Sequence, residues 1–162
     1  MLPEGETCLE VGCASGWTTK EISKKYPVVF GITVSREEFQ FAEKHYGKEG
    51  VDNNYIGFRL LDMHNLPWES DFDAVVMSNC IGQALSPFIA LAEANKVLKD
   101  NGVLLINIAG QDWADWKWHY YHPTEQQLKH LFDMTGFIIT SERHLANGHY
   151  HCLCTKVGGV KL

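Results

Sequence analysis

The residues best suited to chemistry begin at Glu10-Val11-Gly12-Cys13-Ala14-Ser15-Gly16. A β-prone run, Thr7-Cys8-Leu9, precedes them, and a helix is predicted from Trp17 to Tyr26, where Pro27 stops it. Strand, glycine turn and helix together form the geometry of a nucleotide-type cofactor site. Glycine lets the chain turn sharply and lets a ligand approach the backbone. The helix that follows points its free N–H groups at whatever sits over the turn. A glycine turn alone is weakly specific, so the downstream residues decide. Thr33, Asp62 and Asn79 each stand at the carboxyl end of an apolar run. Four histidines and cysteines near the C-terminus, His149, His151, Cys152 and Cys154, suggest a metal. Strand periodicity puts the two histidines on one side and the two cysteines on the other, so no metal site is expected.

The elements that must position these residues alternate. Val28 to Thr33 is a buried second strand. Ser35 opens a helix with Glu38 in the capping-box position, and Phe39, Ala42 and Tyr46 form its apolar stripe before Gly47 ends it. Tyr55 to Leu61 and Phe72 to Met77 are further strands. Ser86-Pro87 starts a helix with Phe88, Leu91, Ala92, Asn95 and Leu98 on one face, and Asp100-Asn101-Gly102 is a predicted turn. Val103 to Ala109 is a continuous apolar strand. Thr124 and Gln127 start the last helix, which Gly136 caps. Phe137 to His144 and Tyr150 to Lys156 form a hairpin around Asn147-Gly148. Continuous apolar strands alternating with helices mean a mostly parallel sheet covered on both faces. Ligands in such sheets sit beyond the carboxyl ends of the strands.

With 162 residues the chain suffices for one domain and one core. Its 45% hydrophobic and 21% charged content is that of a globular protein, which sets aside disorder. No apolar run approaches a membrane span, and Met1-Leu2-Pro3-Glu4 does not have the form of a signal peptide. The net charge of −6 disfavours a nucleic-acid partner. The five scattered cysteines suit free thiols in a reducing compartment, hence a cytoplasmic location.

Taken together, the sequence resembles the class I S-adenosylmethionine (SAM)-dependent methyltransferases of the type 11 kind, over nearly its whole length. Glu10 to Gly16 resembles the family's E-x-G-x-G-x-G motif. Leu61-Asp62-Met63-His64-Asn65-Leu66-Pro67-Trp68 resembles D-x-x-x-L-P-F, and Phe72-Asp73-Ala74-Val75-Val76 resembles F-D-x-V. Ala94 to Gly102 resembles R-V-L-K-P-G-G, and Thr135-Gly136-Phe137 matches the usual helix end. Their order and spacing carry the resemblance. The fold it implies is a Rossmann-like seven-stranded sheet, order 3-2-1-4-5-7-6, with strand seven antiparallel and helices on both faces. The expected organisation is a single domain over residues 1–162, lacking most of the usual N-terminal cap, since only Met1 to Glu6 precede the first strand. Either the site is open, or a homodimer mate or partner chain closes it, or the sequence is trimmed.

The resemblance also implies site residues. The backbone of Gly12, Cys13, Ala14 and Gly16 would approach the methionine part of SAM, with Glu10 an indirect anchor for its amine. Asp62 would accept from the adenine amino group while the Met63 N–H meets the ring. Ser78 and Asn79 would offer carbonyls to the amine. Two departures stand out: Ala14 replaces the middle glycine, and Thr33 replaces the acid that grips the ribose. Gly31-Ile32-Thr33-Val34-Ser35 resembles the G-x-T-x-S of cyclopropane-fatty-acid-synthase-like enzymes, which carry a Gln where this chain has Glu38. Thr33 and Glu38 together could replace the missing acid; equally, Glu38 could only complete the helix cap with Ser35.

The acceptor wall is expected in Gln111 to His122, where Trp113, Trp116 and Trp118 could stack on a flat acceptor and face a cation. Trp113, Trp116 and Tyr120 are also at helical spacing, which a lid or packed helix would give as well. His119 and His122 are candidate catalytic bases, needed only for a hydroxyl or protonated-amine acceptor, and Gln83 could orient the substrate. Asn79-Cys80-Ile81-Gly82 does not match N-P-P-Y, which lowers DNA adenine as a substrate. The expected function is methyl transfer from SAM to a small-molecule or sugar-type acceptor. A catalytically inactive methyltransferase-like partner subunit is the alternative, and a nicotinamide-binding dehydrogenase ranks last because G-x-G-x-x-G is missing.

Overall fold

A computed structural model describes residues 2–49, 54–108, 123–146 and 148–160. In chain order the elements are β1 (Thr7–Val11), α1 (Trp17–Ile22), β2 (Val28–Thr33), α2 (Arg36–Tyr46), β3 (Lys48–Glu49), β4 (Tyr55–Leu60), β5 (Phe72–Ser78), α3 (Pro87–Val97), β6 (Leu98–Ile108), α4 (Glu125–Met134), β7 (Phe137–His144) and β8 (Tyr150–Lys156). They build one sheet in the order β3-β4-β2-β1-β5-β6-β8-β7. The seven expected strands stand in the expected order, with β8 antiparallel to both neighbours and the inner pairs parallel. The addition is β3, a two-residue strand antiparallel to the outer edge of β4.

Strand alternation sorts the core onto two faces. Leu9, Val11, Val75, Met77, Leu104 and Ile106 face α3 and α4, where they meet Leu91, Ala94, Leu128 and Phe132. Cys8, Val29, Ala74 and Val76 face the other way, toward Ile22 and Tyr26. Glu10 shares the second parity, so its carboxylate is carried under α1 rather than toward solvent. Asp73 fastens the start of β5 to the start of β1. It accepts from the backbone N–H groups of Glu6 and Thr7, both at 2.9 Å, and from Lys99 Nζ at 2.8 Å.

Three expectations need correction. The buried face of α3 carries Ala90, Leu91, Ala94, Asn95 and Val97, and Leu98, read as part of its stripe, is the first residue of β6. The first helix ends at Ile22, not Tyr26. Lys25 N–H bonds back only three residues, to the Ile22 carbonyl at 2.9 Å, and Tyr26 is fully buried with its hydroxyl on the Pro3 carbonyl. Pro27 forces its predecessor out of the helical region, so the final turn is given up to seat that ring. The Asp100–Gly102 turn is also not a break between elements. It is a bulge inside β6: Leu98 pairs with Phe72 and Val103 with Ala74, and Asn101 takes φ 63° to close the extra residues. The α4 start is as read from sequence, with Thr124 and Gln127 forming a reciprocal capping box.

Candidate functional site

The turn after β1 is held by backbone bonds to the end of β2. Gly12 and Cys13 N–H both donate to the Ile32 carbonyl, at 3.0 and 2.8 Å, and Gly16 N–H donates to the Cys13 carbonyl at 2.8 Å. Gly12 has φ 73° and Gly16 φ 84°. A side chain at Gly12 would also lie 2.6 Å from Cys80 Cβ, and one at Gly16 2.7 Å from the Phe58 ring. Both positions therefore need glycine for conformation and for space. Ala14 sits at φ 47°. It holds the left-handed geometry that costs an alanine about 1–2 kcal/mol.

Above this turn lies a cleft of about 310 Å³ at the carboxyl ends of β1, β2 and β5. That is the low end of the range for small-molecule sites. Its walls include Gly12, Ala14, Thr33, Val34, Glu38, Met63, Ser78, Asn79 and Gln83, all singled out from the sequence. Four more wall residues were missed: Val11, Ile32, Leu61 and Cys80. The first three sit at or just beyond strand ends, where their apolar character reads as core. Cys80 reaches the cleft because its thiol bonds the Val11 carbonyl at 3.2 Å, a contact across the sheet that no local signal announces.

Of the remaining expected residues, Cys13 and Gly16 are buried in the turn itself, and Asp62 stands between the wall residues Leu61 and Met63 with its side chain 59% exposed. Glu10 lies behind the turn, 2% exposed, with the Thr19 hydroxyl bonded to its carboxylate. Burial pushes its pKa up to about 7 against the opposing pull of that bond. His119, His122, Trp113, Trp116 and Trp118 lie outside the described residues.

The two readings of Glu38 separate here. Ser35 does cap α2, its Oγ accepting from the Glu38 N–H at 3.3 Å. The Ser35 N–H, however, donates to Thr33 Oγ1 at 3.1 Å, and the Glu38 carboxylate instead accepts from the Thr33 hydroxyl at 2.8 Å. The carboxylate is thus turned into the cleft. It is the one charged group among the described wall residues. A mostly apolar cleft with one carboxylate, two hydroxyls and two side-chain amides suits a ligand that is cationic, partly apolar and rich in hydroxyl donors. Among its described wall residues there is no lysine or arginine for a pyrophosphate. Among the described residues no cluster of metal-ligating side chains is found, and no helix is long and apolar enough to cross a membrane.

Known proteins give the same picture. A family model described as "Methyltransferase domain" matches residues 9–106. The O-methyltransferase cnsE of Penicillium expansum is 30% identical over 105 residues, which are 64% of this chain and 38% of that protein. The chain spans between 19% and 50% of the length of the curated relatives it matches. Among solved structures, a SAM-dependent methyltransferase from Methanosarcina mazei has a TM-score of 0.80 at 22% identity, covering 96% of this chain and 94% of that one. A methyltransferase from Haloferax volcanii, solved in complex with the Trm112 methyltransferase activator, has a TM-score of 0.83 at 15% identity, covering 97% and 85%.

Proposed function

The chain belongs to the methyltransferase domain family, and from that premise we propose that its cleft binds SAM and that the whole protein transfers the methyl group to a small-molecule or sugar-type acceptor. One observation carries the reading: the Glu38 carboxylate, braced by Thr33, is turned into a mostly apolar cleft at the ends of β1, β2 and β5, where it is the one charge among the described wall residues. Glu38 and Thr33 receive the ribose hydroxyls, beside Val34. The turn from Gly12 to Gly16 lies along the methionine part, and the carbonyls of Ser78 and Asn79 accept from its ammonium. Glu10 supports the same ammonium from behind the turn. Leu61, Asp62 and Met63 hold the adenine.

Methyl transfer is an in-line displacement at a carbon already activated by the sulfonium. Positioning and exclusion of water therefore supply most of the catalysis. Gln83, on the cleft wall beyond Asn79, orients the acceptor. The Penicillium relative is named an O-methyltransferase, which favours a hydroxyl acceptor and hence a base. His119 and His122 are the proposed bases, and Trp113, Trp116 and Trp118 the proposed acceptor wall. The Haloferax protein's complex with an activator supports a partner chain for this one as well.

Melting curves with SAM, S-adenosylhomocysteine and NAD in parallel test the reading, since a ligand specific to the folded state raises the melting temperature. Stabilisation by the two adenosyl ligands alone is expected, with turnover on a hydroxylated acceptor. Stabilisation by NAD alone, or by none of the three, overturns it. SAM stabilisation without turnover across an acceptor panel would favour the inactive partner subunit.

A further inference from the structure

Asp62 is an exposed carboxylate on a loop, and such a side chain ordinarily samples several rotamers. Here it is held from two directions by one residue. The His64 N–H donates to Asp62 Oδ1 at 2.9 Å, and His64 Nδ1 lies 2.6 Å from the same oxygen. The far side of the ring is anchored too: the Ser86 N–H donates to His64 Nε2 at 3.2 Å. An Nε2 that accepts carries no proton, which leaves Nδ1–H as the donor to Asp62. Ser86 caps α3, whose Ala90, Leu91 and Ala94 are buried in the core. The loop is closed beneath by a turn, Asn65 N–H to the Asp62 carbonyl at 3.1 Å. The carboxylate is therefore tied through an imidazole to a fixed helix. Its Oδ2 accepts no bond among the described residues, the side chain is 59% exposed, and Asp62 falls in sequence between the wall residues Leu61 and Met63 without being a wall residue itself.

Resting on the SAM reading above, we propose that His64 is a positioning residue that aims the Asp62 carboxylate, leaving Oδ2 to accept from an amino group on the purine edge. Because a carboxylate only accepts, this arrangement selects a 6-amino purine and rejects a 6-oxo purine, which presents a carbonyl. His64 touches no ligand itself. It spares the ligand the cost of ordering Asp62, which for one immobilised side chain corresponds to about threefold to tenfold in affinity.

The test compares S-adenosylhomocysteine with its 6-oxo counterpart, S-inosylhomocysteine, by calorimetry. His64→Ala is expected to weaken the adenosyl ligand about threefold to tenfold while leaving the inosyl ligand unchanged, so that the preference shrinks by that factor. His64→Asn, whose amide can donate near the Nδ1 position, should restore most of the preference. His64→Gln, whose amide lies nearer the Nε2 position, should not. In an Asp62→Asn background the His64→Ala effect should vanish. Should His64→Ala fail to fold, the Asn and Gln pair decides alone. A His64→Ala protein that discriminates as well as wild type, or an Asn variant no better than Gln, overturns the role of His64 while the SAM reading stands. Wild-type protein that binds neither ligand overturns both.

Discussion

Replacing Glu38 by alanine separates ligand binding from folding, because the two use different atoms of the residue. The α2 cap uses the Glu38 N–H, which donates to Ser35 Oγ, and alanine keeps that group. The carboxylate makes one described bond, from the Thr33 hydroxyl at 2.8 Å. Thr33 Oγ1 also accepts from the Ser35 N–H at 3.1 Å, a bond that does not involve the carboxylate. Stability should therefore change by no more than about 0.5 kcal/mol, as for other substitutions outside a packed core. Binding should change much more. A hydrogen bond to a charged group contributes about 1.5–3 kcal/mol, which is roughly a 10-fold to 150-fold loss of affinity for S-adenosylhomocysteine. Glu38→Gln keeps an acceptor oxygen without the charge and should fall between the two. Calorimetry with S-adenosylhomocysteine and a 2′-deoxyribose analogue checks the cause: the wild type should discriminate between them and the alanine variant should not. An alanine variant that melts normally and binds the full ligand as tightly as wild type would refute the assignment of the ribose to Glu38.

Two further outcomes follow from buried or braced carboxyls. Glu10 has a folded pKa raised to about 7 from 4.5 by burial, so the folded state holds a proton that the unfolded chain loses between those values, and stability falls as pH rises across that window. Glu10→Gln should flatten urea-unfolding stability between pH 5 and pH 8, with a gain at the upper end of at most about 3 kcal/mol; a variant that keeps the wild-type slope would contradict the burial of that charge. Burial raises the Asp73 carboxyl, but bonds from Lys99, Thr7 and Glu6 overcome it and hold the pKa down to about 2. Its contribution is complete above the unfolded value of 3.8 and is lost as pH falls through about 2. Asp73→Asn should cost about 2 kcal/mol at pH 7, with a smaller difference from wild type at pH 2.5, read from denaturant midpoints.

What could be read from the chain was what the backbone decides locally. Gly12 and Gly16 announce positive φ, Thr124 with Gln127 announces a cap, and the continuous apolar runs at Val28–Thr33 and Val103–Ile108 announce a sheet buried on both faces. Hidden features depend on contacts between distant segments. Asp100-Asn101-Gly102 has the composition of a turn whether it ends a strand or bulges within one; the pairing of Leu98 with Phe72 makes the difference. Cys80 reads as a buried thiol until β1 is laid beside it. The bond from Ser86 to His64 joins residues 22 apart in sequence, and neither residue signals the other. Glu38 was ambiguous because the capping box and the cleft compete for the same carboxylate, and the Thr33 hydroxyl takes the Ser35 N–H that the box would use.

The two departures from the family pattern are therefore unequal in weight. Ala14 holds the left-handed conformation that a glycine adopts freely, at φ 47°, so its effect is conformational strain plus one methyl group on the cleft wall. Thr33 removes a charge from the end of β2, and strain cannot restore it. The charge returns from the first turn of α2, where Glu38 is reached because Ser35 starts the helix directly after the strand end. A helix begun two residues later would turn residue 38 away from the sheet edge. Under the proposed function, the spacing between Thr33, Ser35 and Glu38 would let Glu38 serve as the acid that the family at large carries at the strand end. The cleft keeps its negative side through the position of a helix start rather than the identity of a strand residue.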